Sequence, residues 1–596
     1  MFQTFTASTR PADGPPRLRD LREALGKSGL DGFLVPRADA HQGEYVAPRD
    51  ERLSWLTGFT GSAGFCAVLP QIVGVFIDGR YTVQVRTQVD TAHFTPVAWP
   101  TTQLGDWLVA QLPNGGVIGF DPWLHTEAEI DKLRTTCGKA GITFQSVANP
   151  VDTIWLDQPD PPMGQLIVHP LKFAGESATD KIARLCSAMT TDTAVVTLPD
   201  SIAWLLNIRG SDIVRNPVPH VFALLHKSGT VDLFCAPEKI SPAVSAHLGP
   251  QVRLYDPSRF AAQLDALRGS VQIDRDTGPV WLQSHLANAS IEWVTDPCIL
   301  PKACKNAHEI KGMQEAHLRD AIAMVRFLAW LDEAAPTGTL TETQVVSRLE
   351  TLRRADNSLR DISFETIAGS GPNGAIVHYR VTDDTDRTIA PGELLLVDSG
   401  GQYIDGTTDI TRTVATGPVA AFEKRCFTRV LQGMIAISRA RWPKGLAGRD
   451  LDALARAPLW ADGLDYDHGT GHGVGAYLSV HEGPQRLSRQ SGVPLASGMI
   501  LSNEPGYYRE GAFGIRLENL IVVQVAPDLP DQDQREMLDF STLTWVPLDL
   551  RLIDTDLLGP DEKAWLNTYH HEVRTRLEPH LDPAAAAWLV QATSPI

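Results

Sequence analysis

The chain has 596 residues, 43% hydrophobic and 21% charged, the balance of an ordinary globular protein with material for two to four domains. Its formal net charge of −18 argues against a nucleic-acid or anionic-membrane surface, and no stretch approaches the roughly 20 apolar residues of a membrane span. Seven cysteines without a paired motif, with Cys298 and Cys304 close only by accident, and an N-terminus lacking an apolar signal core set the expectation of a reduced, cytoplasmic location.

In chain order, the first apolar strand is expected at Gly32-Phe33-Leu34-Val35, behind a helical segment. Ser54-Trp55-Leu56-Thr57-Gly58-Phe59-Thr60-Gly61-Ser62 follows. It aligns at an offset of 149 residues with Ala203-Trp204-Leu205-Leu206-Asn207-Ile208-Arg209-Gly210-Ser211, matching at Trp, Leu, Gly and Ser. The second copy also has a helix and an apolar strand before it, Thr193-Ala194-Val195-Val196-Thr197, and each copy leads into strand-turn-strand material, Phe65 to Ile77 and Val221 to Cys235. The short match is weak alone; with its flanks it reads as two duplicated α/β domains. Gln158-Pro159-Asp160-Pro161-Pro162 breaks helix and sheet and reads as the linker between them. From Asn306 a long amphipathic helix is expected, with Ile310, Met313, Ile322, Val325, Leu328 and Leu331 on its apolar stripe. Domain limits follow at 1–160, 161–305 and 306–596, and the third domain carries the chemistry.

Beyond that helix, Gly392-Glu393-Leu394-Leu395-Leu396-Val397-Asp398-Ser399-Gly400-Gly401 contains a buried strand ending at Asp398, and Thr407-Thr408-Asp409-Ile410-Thr411-Arg412-Thr413-Val414 is the next. Asp405-Gly406 is the turn signal between them. A regular two-residue turn there would set Asp409 opposite Gln402 and leave Asp398 roughly 13 Å away, at about 3.4 Å per residue. A shared site then requires Gly400-Gly401 to bend or bulge the strand.

The next segment is His468-Gly469-Thr470-Gly471-His472-Gly473-Val474-Gly475, followed by Val480-His481-Glu482-Gly483-Pro484. Histidines four apart suggest a zinc-protease pair on a helix, but alternating glycines disfavour a helix and the catalytic Glu of that motif is missing. Gly471-His472-Gly473 with Ala476 fits a loose dinucleotide fingerprint, without the expected strand-turn-helix unit or ribose-binding acid. We read these glycines as letting backbone approach a ligand. Further on, Glu504 and Glu518 are equidistant from Gly511, so a three-residue loop at Glu510-Gly511-Ala512 would put them directly opposite each other. Like charges so placed destabilise a sheet unless a cation lies between them.

Taken singly, each Asp or Glu here is more often a solvated turn residue, and His472 a satisfied structural histidine. Together, Asp398, Asp409, His472, Glu504 and Glu518 offer four carboxylates and one imidazole, whose charge two divalent cations would neutralise. Oxygen-rich ligation with one nitrogen and no thiolate favours manganese, cobalt or iron and allows zinc. The set points to a two-metal hydrolase.

At these residues the chain resembles the pita-bread metallopeptidases, and within them the long, three-domain form of Xaa-Pro aminopeptidase, aminopeptidase P. The resemblance extends from Glu44-Tyr45-Val46-Ala47-Pro48 through Asp78-Gly79-Arg80-Tyr81 and Asn207-Ile208-Arg209-Gly210-Ser211-Asp212 to Trp565-Leu566-Asn567-Thr568-Tyr569-His570. Its most specific pieces are Gly371-Pro372-Asn373-Gly374-Ala375-Ile376-Val377-His378-Tyr379, Asp405-Gly406-Thr407-Thr408-Asp409 and Ser502-Asn503-Glu504-Pro505-Gly506. It implies an α/β (α+β) chain: two duplicated creatinase-like N-terminal α/β domains followed by a pita-bread catalytic domain with a C-terminal extension.

The resemblance also implies an activity, removal of an N-terminal residue when proline follows it, by a water shared between two divalent ions. Mn2+ is the first expectation for these ions, with Co2+, Fe2+ or Zn2+ as others. Asp398 would chelate one ion, His472 and Glu504 the other, and Asp409 and Glu518 both. Glu504 would also shuttle the proton, while His378 and His481 would orient the scissile amide and stabilise its oxyanion. Arg516 would contact substrate or brace a carboxylate, and His468 reads as structural. Partners would be peptides with proline second, with no nucleic acid or membrane, and a second copy in a homodimer that brings Arg80 near an active-site mouth. Prolidase, restricted to dipeptides, shares the five ligands. A non-catalytic pita-bread binding protein would have lost some of them, and none is missing.

Overall fold

The computed structural model describes residues 1–596, in two compact units: Ser8–Lys302, and Met1–Ala7 together with Ala303–Ile596. Within the first unit, two six-stranded sheets share one plan. In one, Gly32–Pro36, Phe65–Val68 and Val73–Ile77 run antiparallel in that order. Thr95–Ala98 adds in parallel outside Val73–Ile77, and Gly116–Phe120 then Ile142–Ser146 add in parallel on the other flank. In the other sheet the antiparallel trio is Thr193–Val196, Phe222–His226 and Val231–Phe234. Val252–Tyr255 lies parallel outside it, and Ser270–Ile273 then Ser290–Trp293 occupy the opposite flank.

The expected duplication is therefore one of strand order and direction. The matched tryptophans sit on the helices Arg52–Thr57 and Pro199–Leu206. The non-identical pair just after them, Gly58 and Asn207, serves one purpose: each ends its helix in the left-handed region, at φ 89° and 49°. Residues 158–162 carry neither helix nor strand, as their prolines dictate.

In the second unit the long helix starts where expected. Asn306 caps Ala307–Ala334 in a capping box with Glu309. Met313, Val325, Leu328 and Leu331 are buried, and Ile310 and Ile322 lie partly buried beside them. The helices Glu342–Arg354, Ala421–Ser438, Gly448–Trp460 and Pro560–Leu577 complete the helical packing against the sheets. One sheet is the antiparallel set Ile367–Ser370, Leu394–Ser399 and Ile410–Ala415. The largest has six strands, in the order Arg441–Pro443, Met537–Thr542, Asn519–Val525, Ile500–Asn503, Gly471–Gly473 and Glu482–Leu487. Leu394, Leu395, Leu396 and Val397 are at most 3% exposed, which at about 1.5–3 kcal/mol per side chain anchors the strand that ends at Asp398.

The first residues of the chain belong to this unit too. The Gln3 side chain exchanges hydrogen bonds with the Thr366 backbone at 3.2 and 2.8 Å, and Phe2 N donates to Glu350 Oε1 at 2.7 Å. All seven cysteines are free, and no helix is long and apolar enough to cross a membrane.

Candidate metal centre

Two hairpins carry the four carboxylates. In the first, Asp398 faces Thr411, and the last pair before the reversal is Tyr403 with Gly406. The turn is thus Ile404-Asp405, not Asp405-Gly406, and the expected register is corrected by two residues. Asp409 becomes a diagonal neighbour of Asp398 on the same face, close enough to share a site. The strand breaks at Gly400 as expected, but Gln402 still faces Thr407 beyond the break, so no extra residue is inserted. Gly400 is required by close approach: a Cβ there would collide with the Thr408 carbonyl oxygen.

The second hairpin has the expected register. Gly506 pairs with Arg516 and Asn503 with Asn519, bracketing Glu504 and Glu518 as opposite positions. Its reversal is Glu510-Gly511-Ala512, with Gly511 at φ 74°. Glu518 N donates to Thr411 O at 3.1 Å and Arg516 N to Thr413 Oγ1 at 3.1 Å, which join the two hairpins.

His472 lies on the strand Gly471–Gly473, between Glu482–Leu487 and Ile500–Asn503. Its glycines admit neighbouring backbone: a Cβ on Gly471 would strike Ser502 O, and one on Gly473 would strike Glu482 O. The ring is oriented by its own strand. Nδ1 lies 2.9 Å from Gly473 O, which can only accept, so Nδ1 carries the proton. Nε2 then faces Asp409 Oδ2 and Glu504 Oε1, each at 3.5 Å. An imidazole nitrogen aimed at two carboxylate oxygens is an arrangement that a cation between them stabilises.

The carboxylates make the same demand. Asp409, His472 and Glu518 offer donor atoms all within 4.8 Å of one another. Asp398 Oδ1, Asp409 Oδ1 and Glu518 Oε1 are buried and receive no hydrogen bond. Burial, then the charges of Asp398 and Glu504, hold Asp409 well above the usual carboxylate range, and burial, then Asp409 and Glu504, does the same to Glu518. Such a cluster is costly without positive charge, and its oxygen-rich donor set with one imidazole fits divalent ions of the manganese, iron, cobalt or zinc kind.

Several of the other oxygens are already held. Thr411 Oγ1 donates to Glu518 Oε2 at 2.7 Å, Ser502 Oγ to Glu504 Oε1 at 3.1 Å, and Arg516 Nη2 to Asp398 Oδ2 at 2.6 Å. Arg516 is 1% exposed and also donates to Tyr508 OH at 2.6 Å and Val377 O at 3.2 Å. His468 Nε2 lies 2.9 Å from that same Tyr508 hydroxyl. His481 stands edge-on to His472, ring centroids 4.2 Å apart at 79°. His378 follows Val377, whose carbonyl Arg516 grips, and is half-buried.

Thr411, Ser502 and Tyr508 were not singled out from the sequence; Thr411's place opposite Asp398 becomes visible only once the register is known. Next to it, the buried Arg412 donates to the carbonyls of Thr411, Glu518, Val546 and Pro547, to Asn519 Oδ1 and to Tyr569 OH, at 2.6–3.1 Å.

Fold and site define a class, a metallohydrolase of pita-bread architecture in which helices pack on sheets that present a carboxylate-rich centre. Residues 311–524 match the model of metallopeptidase family M24 and residues 536–596 that of its C-terminal region. Residues 17–154 and 157–309 each match a creatinase/prolidase N-terminal domain. The chain is 37% identical to Aminopeptidase P1 of Lotus japonicus, over 95% of this chain and 97% of that protein. It is 38% identical to the probable Xaa-Pro aminopeptidase P of Aspergillus niger, over 98% and 99%. The crystal structure of X-prolyl aminopeptidase from Caenorhabditis elegans, described as a cytosolic enzyme with a di-nuclear active site, matches with a TM-score of 0.92 and 33% identity, covering 98% of this chain and 99% of that one. The Xaa-Pro dipeptidase of Bacillus anthracis shares the fold over 63% of this chain, at a TM-score of 0.51 and 24% identity. The chain belongs to metallopeptidase family M24, in the long three-domain aminopeptidase P form.

Proposed function

We propose that this chain is a dinuclear-metal Xaa-Pro aminopeptidase that releases the first residue of peptides whose second residue is proline. The observation that carries the metal reading is the set of three buried carboxylate oxygens without hydrogen bonds, on Asp398, Asp409 and Glu518, two of these residues clustering with His472. Support for the proline preference comes from the similarity to aminopeptidase P proteins over nearly the whole chain. Asp398 would hold one ion, His472 and Glu504 the other, and Asp409 and Glu518 both. Bound divalent ions supply Lewis acidity and would lower the pKa of a coordinated water toward about 7.

The protein's own groups divide the remaining work. Glu504 has the most exposed carboxylate of the cluster, 17% against 10% for Asp398, and takes the proton of the attacking water for delivery to the departing proline nitrogen. That delivery matters because the amide nitrogen of proline has no hydrogen of its own. His378 and His481 donate to the scissile carbonyl oxygen as negative charge builds on it. Arg516 acts by positioning, holding the Asp398 side chain in place through Oδ2.

Domain limits at 1–160, 161–305 and 306–596, manganese as the working metal and a homodimer complete the reading. The test is hydrolysis of Xaa-Pro and Xaa-Ala tripeptides and of Xaa-Pro dipeptides by protein of known metal content. Comparable rates on the two tripeptides refute the proline assignment, and activity confined to dipeptides selects prolidase. Full activity in metal-free protein removes the metal reading. Light scattering that finds only a 65.0 kDa species counts against the dimer.

A further inference from the structure

A second group of metal-type ligands lies inside the Ser8–Lys302 unit and takes no part in the chemistry above. Asp39 and Asp50 come from the loop and short turn after Gly32–Pro36 in the first duplicated sheet, and His220 from just before Phe222–His226 in the second. The three offer donor atoms all within 4.8 Å of one another.

Each carboxylate has one oxygen tied back. Asp39 Oδ1 accepts from His41 N at 2.9 Å, and Asp50 Oδ1 from Arg52 Nη1 at 2.8 Å. His220 is anchored through its backbone N–H, which donates to Asp212 Oδ2 at 2.6 Å, and Asp212 is itself paired with Lys239 at 2.7 Å. The ring of His41 packs on that of His220, centroids 4.4 Å apart, and its Nδ1 is 3.1 Å from Thr197 O. This is a first layer of ligands held by a second.

The remaining oxygen of Asp39 is the decisive atom. Asp39 is 2% exposed, and its Oδ2 receives no hydrogen bond. His220 Nε2 is 3.2 Å away, yet the contact lacks hydrogen-bond alignment. A buried carboxylate oxygen so close to an imidazole nitrogen, yet poorly aligned with it, suits an ion bound by both. Asp50 also lines a cavity of about 510 Å³ that gives access from one side. Asp121 and Asp152 line it as well, so with Asp39 next to it carboxylates outnumber the cavity's two cations, Arg49 and Arg52.

We propose that Asp39, Asp50 and His220 bind a divalent transition-metal ion of the zinc or manganese type that braces the two duplicated sheets to each other. The mixed oxygen and nitrogen donors select for that class over calcium or magnesium, which prefer oxygen alone. Because two of its ligands come from one repeat and one from the other, the ion is structural.

The experiment is an elemental count on full-length protein dialysed against Zn2+ or Mn2+. Wild type should hold one more ion per chain than Asp39→Asn or His220→Gln, with both variants hydrolysing an Xaa-Pro peptide at the wild-type rate. Protein carrying His472→Ala and Glu518→Ala should still hold one ion, which adding His220→Gln removes together with the rise in melting temperature that the ion produces. Equal counts in wild type and both single variants overturn the proposal. Should those variants fail to fold, the His472→Ala, Glu518→Ala protein decides, and no bound Zn2+ or Mn2+ in it overturns the proposal.

Discussion

Two glycines two residues apart should respond in opposite ways to the same added methyl group. A Cβ on Gly471 falls on the backbone oxygen of Ser502, far inside the 3.0 Å that real Cβ atoms essentially never breach. Neither atom is the end of a flexible side chain, so Gly471→Ala must part the two strands by on the order of 1 Å. One of those strands carries His472 and the other leads into Glu504, and an error of about 1 Å in such a constellation costs about 10²-fold in rate. Overpacking adds a stability loss of about 1–3 kcal/mol. Gly469→Ala meets nothing nearer than 3.4 Å and should leave both properties unchanged. The assay is kcat on an Xaa-Pro tripeptide with the metal content of each protein measured beside it. A folded Gly471→Ala protein that keeps kcat within about threefold of the Gly469→Ala protein would show that the strand spacing does not set the site.

Other outcomes follow from the same side chains. Lys305 and Glu482 form an ion pair that is 1% and 0% exposed, so Lys305→Ala should cost about 3–5 kcal/mol in urea unfolding, most of it recovered by adding Glu482→Leu. No recovery in the double variant would refute the charge argument. His481→Ala should lower kcat about 10²-fold while the ion count stays the same; ion loss in step with activity would make His481 a ligand. Burial, then Arg412 and Arg574, push His570 down to about 3 from an ordinary 6.5. Between those values the unfolded chain binds the extra proton, so this contribution to stability is complete above pH 6.5 and is lost as pH falls, at up to about 1.4 kcal/mol per unit. His570→Gln, whose amide oxygen can still accept from Leu548 N, should lose that part of the slope; identical stability losses between about pH 7 and about pH 5 in both proteins would exclude it.

The two hairpins mark the limit of what the residues alone disclose. Gly511 must turn the chain at positive φ, no other residue nearby can, and the Glu504 and Glu518 register follows from that symmetry. Asp405-Gly406 looks like an equally strong turn, but both residues are engaged elsewhere. Gly406 packs against Met313 and Ala316 of the helix Ala307–Ala334, and Asp405 accepts from Arg319 of that helix at 2.5 Å. Docking on a helix almost a hundred residues earlier moved the reversal to Ile404-Asp405, and no local pattern encodes that. The duplicated sheets were legible for the opposite reason, since repeated local patterns recur wherever the same strand order is built. The Asp39, Asp50 and His220 group was not legible, because its members sit in loops of different repeats and share no spacing.

Arg412 gives the C-terminal residues a standing that their position in the chain conceals. Its guanidinium bridges the two ligand-bearing hairpins on one side and Val546, Pro547 and Tyr569 on the other, with no carboxylate among its six acceptors. Peeling away the helix Pro560–Leu577 would strip a buried cation of the Tyr569 hydroxyl and loosen the carbonyls that this same hydroxyl holds, at about 1–3 kcal/mol for each donor left unmet. Fraying of this tail and loosening of the acidic centre are therefore one cooperative event, and hydrogen exchange at Tyr569 should report on the integrity of a site whose ligands all lie earlier in the chain, between Asp398 and Glu518.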